Sequence, residues 1–477
     1  MTERIAADLC VIGAGSGGLT VAAGASQLGW KTVLVEHRRM GGDCLNFGCV
    51  PSKALLAAAK RAAVAREVAG FGLEGGAPRV DFGAVMDHVH RVIAAIEPND
   101  SQARFEGLGV RVIRAFGRFT GPDTVEAGDV AIAARRIVIA TGSSPATPPI
   151  PGLDAAPFFS NETIFENRTL PEHLIVIGGG PIGIEMAQAH RLLGTRVTVL
   201  EVAPRVMAKD DPELVELLVE RLTAQGIALR VGVRILRVER AGAGIAVVLA
   251  GEGGEERLTG SHLLVAAGRR VNLAGLDVEK AGIALGPKGG LVVDRRLRTT
   301  NRRVYAVGDA AGGPQFTHVA NYHAGIAIRN LVFRLPAKVD YKALPWVTYT
   351  DPELAQVGLT EAEARERHAG DLTVLRWPFH DNDRAQAERE TLGLVKALTR
   401  RNGRILGASI LGAHAGELIQ AWGLAIGAGL KIGALATAIA PYPTLGEASK
   451  RAAGSYFTPK LFGERTKRLV RLLKRLG

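Results

Sequence analysis

Cysteine is scarce in this chain, and so are aromatic residues. Three cysteines in 477 residues cannot build a disulfide framework, so a reducing, cytoplasmic setting is expected. Aromatics make up 5% of the residues, and nowhere do they interleave with basic side chains as a nucleic-acid groove requires. No nucleic-acid partner is expected. Long apolar runs are also missing. The best candidate for a membrane span, residues 421–443 (AWGLAIGAGLKIGALATAIAPYP), is interrupted by Lys431 and dominated by Gly and Ala. It reads as a buried packing segment. The N-terminus, MTERIAADLCVIGAG, lacks the basic region and apolar stretch of a signal peptide. Acidic residues are in the minority, 47 Asp and Glu against 59 Lys and Arg, for a net charge of +12. The excess is diffuse except at the C-terminus and reads as solvated surface.

Glycine, by contrast, is abundant at 59 residues, which suits an α/β protein with many tight turns. Two stretches place it in the same pattern. Residues 7–36 carry a short apolar strand, Leu9–Ile12, then Gly13, Gly15 and Gly18, a helical stretch, a strand Thr32–Val35 and Glu36. Residues 173–201 repeat the arrangement with Gly178, Gly180, Gly183 and Glu201. The first glycine allows a tight turn, and the second lets the backbone approach a pyrophosphate at a helix N-terminus. The third lets helix and strand pack closely, and the carboxylate binds ribose hydroxyls. First glycine and acid are 23 positions apart in both copies. Two Rossmann-like domains for two dinucleotides are therefore expected. Glu201 favours NADH at the second site, because a carboxylate repels a 2′-phosphate; nearby Arg205 keeps NADPH in play.

The remaining two cysteines lie in GGDCLNFGCVPSK, residues 41–53. Cys10 sits in the apolar strand and reads as a packing residue. Cys44 and Cys49 lie among Gly, Asn and Pro, just before a helix expected to begin at Val50 or Pro51. No further Cys or His is close enough to complete a metal site, and a thiolate near a helix N-terminus is stabilised. A redox couple fits this placement.

GGDCLNFGCVPSK resembles the active-site disulfide of the flavoprotein pyridine nucleotide-disulfide oxidoreductases, which include dihydrolipoamide dehydrogenase, glutathione reductase and mercuric reductase. IVIATGSSP (138–145) and LLVAAGRRVN (263–272) resemble the family's two connecting motifs. VYAVGDAAG (304–312) resembles its second flavin motif, and TYTDPELAQVGLTEAEA (348–364) the start of its dimerisation domain. The resemblance implies an α/β enzyme with FAD-binding parts at 1–150 and 271–340, an NAD(P)H domain at 151–270, and an α+β dimerisation domain at 341–460. A basic tail, 461–477, follows. It implies FAD held by Gly13, Gly15, Gly18, Glu36, Gly42, Lys53, Gly117, Thr141, Gly142, Asp309 and Thr317. The nicotinamide dinucleotide is expected on Gly178, Gly180, Gly183, Glu201 and Gly268, with no resident metal. Electrons would pass from NADH through the flavin to the Cys44–Cys49 disulfide. Cys49 would lie against the flavin and Cys44 would meet the acceptor, with Lys53 and Glu185 as charged groups of the active site.

The chain departs from the family pattern in AIAPYPTLGEASK, 438–450. Lipoamide and glutathione enzymes place a His before Pro-Thr, with a Glu five residues after it. Here Tyr442 takes the His position and Glu447 is kept, and the partner subunit of a homodimer would present both to Cys44. Tyrosine is a poor base at neutral pH. The implied function is therefore a mercuric-reductase-like reductase of a thiol-reactive acceptor. Dihydrolipoamide dehydrogenase is the alternative enzyme, and a membrane-recruited redox sensor or binding module the reading from another class. Tail cysteines and an N-terminal Cys-x-x-Cys domain, both usual in mercuric reductases, are missing. His380 reads as a surface loop residue. In ERTKRLVRLLKRLG (464–477), Leu469, Leu472, Leu473 and Leu476 share one helical face among basic residues. That segment reads either as a helix in weak peripheral contact with anionic lipid, at the inner face of the membrane, or as one docked on the protein itself.

Overall fold

The structure is a computed structural model that describes residues 3–287 and 289–475. The chain divides into two compact units. The first comprises residues 3–178, 192–200 and 233–339 (Lys288 apart). Its main sheet is built on β1 (Glu3–Ile12), flanked by helix α1 (Ser16–Gln27) and strand β2 (Thr32–Val35). Strands β3 (Arg111–Ile113), β4 (Gly117–Phe119), β5 (Thr124–Ala127) and β6 (Val130–Ile139) complete the order β3-β2-β1-β6-β5-β4, and Val304–Ala306 pairs with β6. β1 is longer than the apolar run suggests. It reaches back to Glu3 because β6 pairs with it in parallel from Glu3↔Val130 to Ile12↔Ile139. Only its C-terminal half is covered on both faces, and there Leu9, Cys10 and Val11 are fully buried. Burial pushes the Cys10 thiol up to about 12, which leaves it inert as a packing residue.

The same unit holds a second set of parallel strands, His173–Ile177 between Arg196–Leu200 and His262–Val265. An antiparallel meander, Ile235–Ala241, Gly244–Gly251 and Gly254–Gly260, shares a core with it through Ile175, Ile177, Leu200, Val247 and Leu263.

The second unit comprises residues 179–191, 201–232 and 340–475. Its five-stranded antiparallel sheet runs in the order Pro345–Thr348, Glu353–Gly358, Ile405–Gly412, Leu394–Arg400, Leu372–Pro378. Helices Ala415–Gly427 and Gly446–Ser455 cover it around the fully buried Trp422, whose Nε1 donates to Ser449 Oγ at 3.0 Å. No helix among the described residues is long and apolar enough to cross a membrane. The expectation that 421–443 is buried needs correction. Trp422, Ala425 and Ile432 are buried, but Leu424 and Leu430 are exposed and Ile439 is 97% exposed. The segment has one face in the core and another in solvent.

Candidate active site

The first glycine turn is shaped by contacts that a side chain would block. Gly13 has φ +109°, and a Cβ there would lie 2.3 Å from the Ala140 carbonyl oxygen. A Cβ on Gly18 would lie 1.9 Å from Gly13 O, so the close packing of α1 on β1 requires glycine there. Helix α1 then opens at Gly15 with no acidic residue in its first turn, leaving its N–H groups for an anion. Glu36 closes the turn: Oε2 accepts from Ala14 N–H at 2.7 Å and Oε1 from Arg38 N–H at 2.7 Å.

The second copy makes the same bonds. Gly178 has φ +114° and donates to Leu200 O at 2.9 Å, as Gly13 does to Val35 O at 2.8 Å. Glu201 accepts from Gly179 N–H at 2.6 Å and from Ala203 N–H at 2.8 Å. Gly183 is buried in the helix Pro181–Leu192, and Gly268 has φ +136°. Arg205 turns its guanidinium onto carbonyls of its own loop, Met207, Ala208 and Asp210.

A cleft of about 390 Å³ runs along the first turn. Gly13, Gly15, Glu36, Gly42, Gly117, Thr141 and Gly142 line it, as do Arg38, Phe47, Phe116, Ser143 and Glu162. The lining fits a dinucleotide. Thr141 Oγ1 is buried and has no hydrogen-bond partner among the described residues, the condition of a donor waiting for a ligand. The two connecting motifs meet here, where Ser143–Pro145 pairs antiparallel with Arg269–Val271.

Gly42 joins the cleft to the cysteines. A Cβ on Gly42 would sit 2.7 Å from Gly15 Cα, so the glycine turn and helix α2 (Gly42–Asn46) touch backbone to backbone. Cys44 lies on α2. Cys49 is the first residue of α3 (Cys49–Glu67), one position earlier than expected. Gly48 precedes it with a backbone no helix continues, and no acidic residue occupies the first turn. Both cysteines are free thiols, hydrogen-bonded to each other, and Cys49 is exposed. Thr317, first residue of the helix Thr317–Leu331, places Oγ1 3.3 Å from Cys49 Sγ.

This surrounding pulls the Cys49 thiol down to about 6. The hydrogen bond from Cys44 is the main cause, and Thr317 and the positive Lys53 add to it. The same bond, together with burial, pushes Cys44 up, so it remains a neutral thiol. The pair thus holds one proton and one negative charge, the latter on Cys49.

An ionic relay not evident in the sequence supports the site. Arg269 Nη2 lies 3.2 Å from Asp43 Oδ2, beside Cys44. Its Nε donates to Ser143 Oγ at 2.7 Å, and Ser143 in turn donates to Asp309. Asn161 Nδ2 donates to Asp43 Oδ1 and to Phe47 O, each at 3.2 Å. Arg38 clasps Glu162 with two 3.0 Å bonds at the mouth of the cleft. Arg269 and Asp43 sit inside motifs already singled out, but nothing in their spacing reveals that they pair. Asn161 has no local signal at all.

In the second unit, Glu185 is buried and accepts from Tyr349 N–H at 2.9 Å. Tyr442 is 70% exposed. Its hydroxyl donates to Asp383 Oδ2 at 3.0 Å, and that bond holds its pKa above the ordinary tyrosine value. Glu447 stands in the first turn of Gly446–Ser455. His380 is exposed, as expected. No cluster of three or more metal-ligating side chains occurs among the described residues.

Comparison with known proteins agrees with this geometry. Residues 7–324 match the pyridine nucleotide-disulphide oxidoreductase family, and residues 344–453 match its dimerisation domain. The chain is 37% identical over 457 residues to mercuric reductase of Streptomyces lividans, covering 94% of this chain and 96% of that one. It is 36% identical over 455 residues to dihydrolipoyl dehydrogenase of Thermus scotoductus, with 94% and 96% covered. Among solved structures, the Cu(II) complex of the HOCl-induced flavoprotein disulfide reductase RclA from Escherichia coli is 28% identical with TM-score 0.84, covering 93% of this chain and 98% of that one. LpdA from Mycobacterium tuberculosis is 26% identical with TM-score 0.86, covering 95% and 99%. The chain belongs to the pyridine nucleotide-disulphide oxidoreductases, FAD-dependent enzymes that use NAD(P)H.

Proposed function

We propose that the protein is an NADH-dependent reductase that passes electrons through Cys44 and Cys49 to a thiol-reactive acceptor, in the manner of a mercuric reductase. The observation that carries the reading is Tyr442. A tyrosine hydroxyl committed to Asp383, with its pKa raised, is unable to accept a proton at neutral pH. Dithiol substrates need such a base to form their attacking thiolate, whereas a soft metal ion is bound by thiolates directly.

Bound FAD would relay two electrons from the reduced nicotinamide to the disulfide. The chain's own groups do the rest. Cleavage of the disulfide leaves the thiolate on Cys49, where Cys44, Thr317 and Lys53 stabilise it. Cys44 is the group that meets the acceptor, and a soft metal ion displaces the Cys44 proton to solvent as it binds the sulfur, so no protein base is required. By the family resemblance Lys53 and Glu185 would be the charged residues of the flavin site, and Glu36, Thr141 and Asp309 would hold the remainder of the FAD. Glu201, with Arg205 engaged on its own loop, favours NADH over NADPH. The working form is a homodimer, in which each partner presents Tyr442 and Glu447, and its setting is the cytoplasm. Dihydrolipoamide dehydrogenase is the second reading, since relatives of that name match nearly as closely as the mercuric reductases.

The test is NADH oxidation by the FAD-loaded protein with lipoamide or with thiol-buffered Hg(II), against a Cys44→Ser control. Hg(II)-dependent turnover that disappears in the control is expected. Rapid turnover with lipoamide would overturn the proposal in favour of dihydrolipoamide dehydrogenase.

A further inference from the structure

The redox site makes no use of the end of the chain. The match to the dimerisation domain stops at residue 453. Beyond it come a short helix, Thr458–Leu461, and a longer one, Glu464–Leu473. Thr466 Oγ1 donates to Lys460 O at 2.7 Å, which ties the second helix to the short one before it. No residue of Glu464–Leu473 is buried. Leu461 and Phe462 at the end of the short helix, and Leu469, Val470, Leu472 and Leu473 on the longer one, are each more than half exposed. The leucine face is therefore not docked on its own chain. Leu476, the fourth member of that face, lies outside the described residues.

At about 100° per residue, Leu472, Leu469, Leu473 and Val470 span an arc of about 160°. Lys474, Lys467, Arg471, Arg475 and Arg468 fill about 120° on the opposite side when the same spiral is continued to residue 475. Only Arg465 and Thr466, in the first turn, break the apolar arc. Against the basic residues stands a single carboxylate, Glu464. It is already engaged, 3.1 Å from Lys467 and 3.7 Å from Arg471.

Charge decides what covers such a face. A second copy meeting it leucine to leucine would cover the apolar arc and leave the basic arc, on the far side, without an anionic partner. A nucleic acid would satisfy the basic arc and leave the leucines in water. An anionic bilayer surface satisfies both, with apolar chains at the acyl boundary and Lys and Arg reaching the headgroups. We propose that residues 461–475 dock the protein on the surface of an anionic lipid bilayer. The contact is peripheral and reversible, and a dimer would offer two such helices to one surface. The inference does not depend on the identity of the electron acceptor.

The experiment is flotation of the FAD-loaded full-length protein with vesicles containing about one-third phosphatidylglycerol, against vesicles of phosphatidylcholine alone. Two variants accompany it, a truncation after residue 463 and Leu469→Asp/Leu472→Asp. Retention on the anionic vesicles at least about tenfold above the neutral ones is expected, because each basic side chain adds to the attraction. It should fall in about 0.5 M salt and vanish in both variants, while flavin reduction by NADH stays unchanged. Equal retention of wild type and truncated protein would overturn the proposal. So would absence of retention, including the case in which truncation changes only the oligomeric mass.

Discussion

Cys49 shows how one residue's chemistry is set by its neighbours. The residue stands at the start of a helix, its sulfur within reach of the Thr317 hydroxyl and hydrogen-bonded to the Cys44 thiol. All three favour the thiolate over the thiol. The titration that follows has a definite sign: lowering the pKa to about 6 makes Cys49 anionic and reactive at neutral pH, and protonation silences it as pH falls below 6. Alkylation of the reduced protein by iodoacetamide should therefore show a midpoint near pH 6. Cys44→Ala removes the largest cause and should move that midpoint upward. A wild-type midpoint at an ordinary thiol value would contradict the assigned roles. Tyr442 is the reverse case, a titratable group whose partner, Asp383, carries it away from useful pH.

At the scale of elements, a group of buried charges holds strands and helices together within the second unit. Lys396, on Leu394–Arg400, is nearly inaccessible and places Nζ 2.9 Å from Asp211 and 2.8 Å from Glu213, with Glu361 as a third partner. Asp211 caps the helix Pro212–Ala224, and Glu361 opens the helix Glu361–His368. Lys396→Met would take the cation from the buried Asp211 and leave Glu213 and Glu361 with Arg376 alone. The expected cost is about 3–5 kcal/mol of stability, read as a lower denaturation midpoint in urea. An unchanged midpoint would mean that Arg376, which also binds Glu213 and Glu361, suffices alone. Arg376 above all, and Lys396 after it, hold the Glu213 carboxyl down to about 2. The stability gained this way is complete above the ordinary carboxylate value of 4.5 and is lost as pH falls through about 2.

For the molecule as a whole, the apolar surface of the dimerisation domain, like the face of the C-terminal helix, is one that a single chain leaves uncovered. Leu424 is 73% exposed and Ile439 97%, close in sequence to Tyr442. Surfaces of this kind are covered in an assembly. Ile439→Asp should convert the dimer to monomer in sedimentation. Under the proposed shared site, to which the partner brings Tyr442 and Glu447, it should also lower acceptor turnover, while NADH still reduces the flavin of each monomer. Full acceptor turnover by a monomeric variant would rule out a site shared between subunits.

Much of this was legible in the sequence. Both glycine fingerprints with their acids, the cysteine pair and the tail helix are local patterns, and each is set by a few residues whose backbone or periodicity has one good solution. Their detailed geometry follows the same logic, as the matching hydrogen bonds of Glu36 and Glu201 attest. Other features depend on segments far apart in the chain. β1 extends to Glu3 only because β6 is there to pair with it. Arg269, Asp43, Asn161 and Ser143 form a relay only once segments more than a hundred residues apart are side by side. Residues 421–443 divide between core and surface according to what the sheet beneath them can cover. Chain order was enough to place the glycine turns, their acids and the thiol pair, since backbone turns, helix termini and thiols act locally. Tertiary structure alone decided which charges meet, which thiol ionises and which apolar faces stay open, because electrostatics and burial depend on neighbours that chain order does not specify.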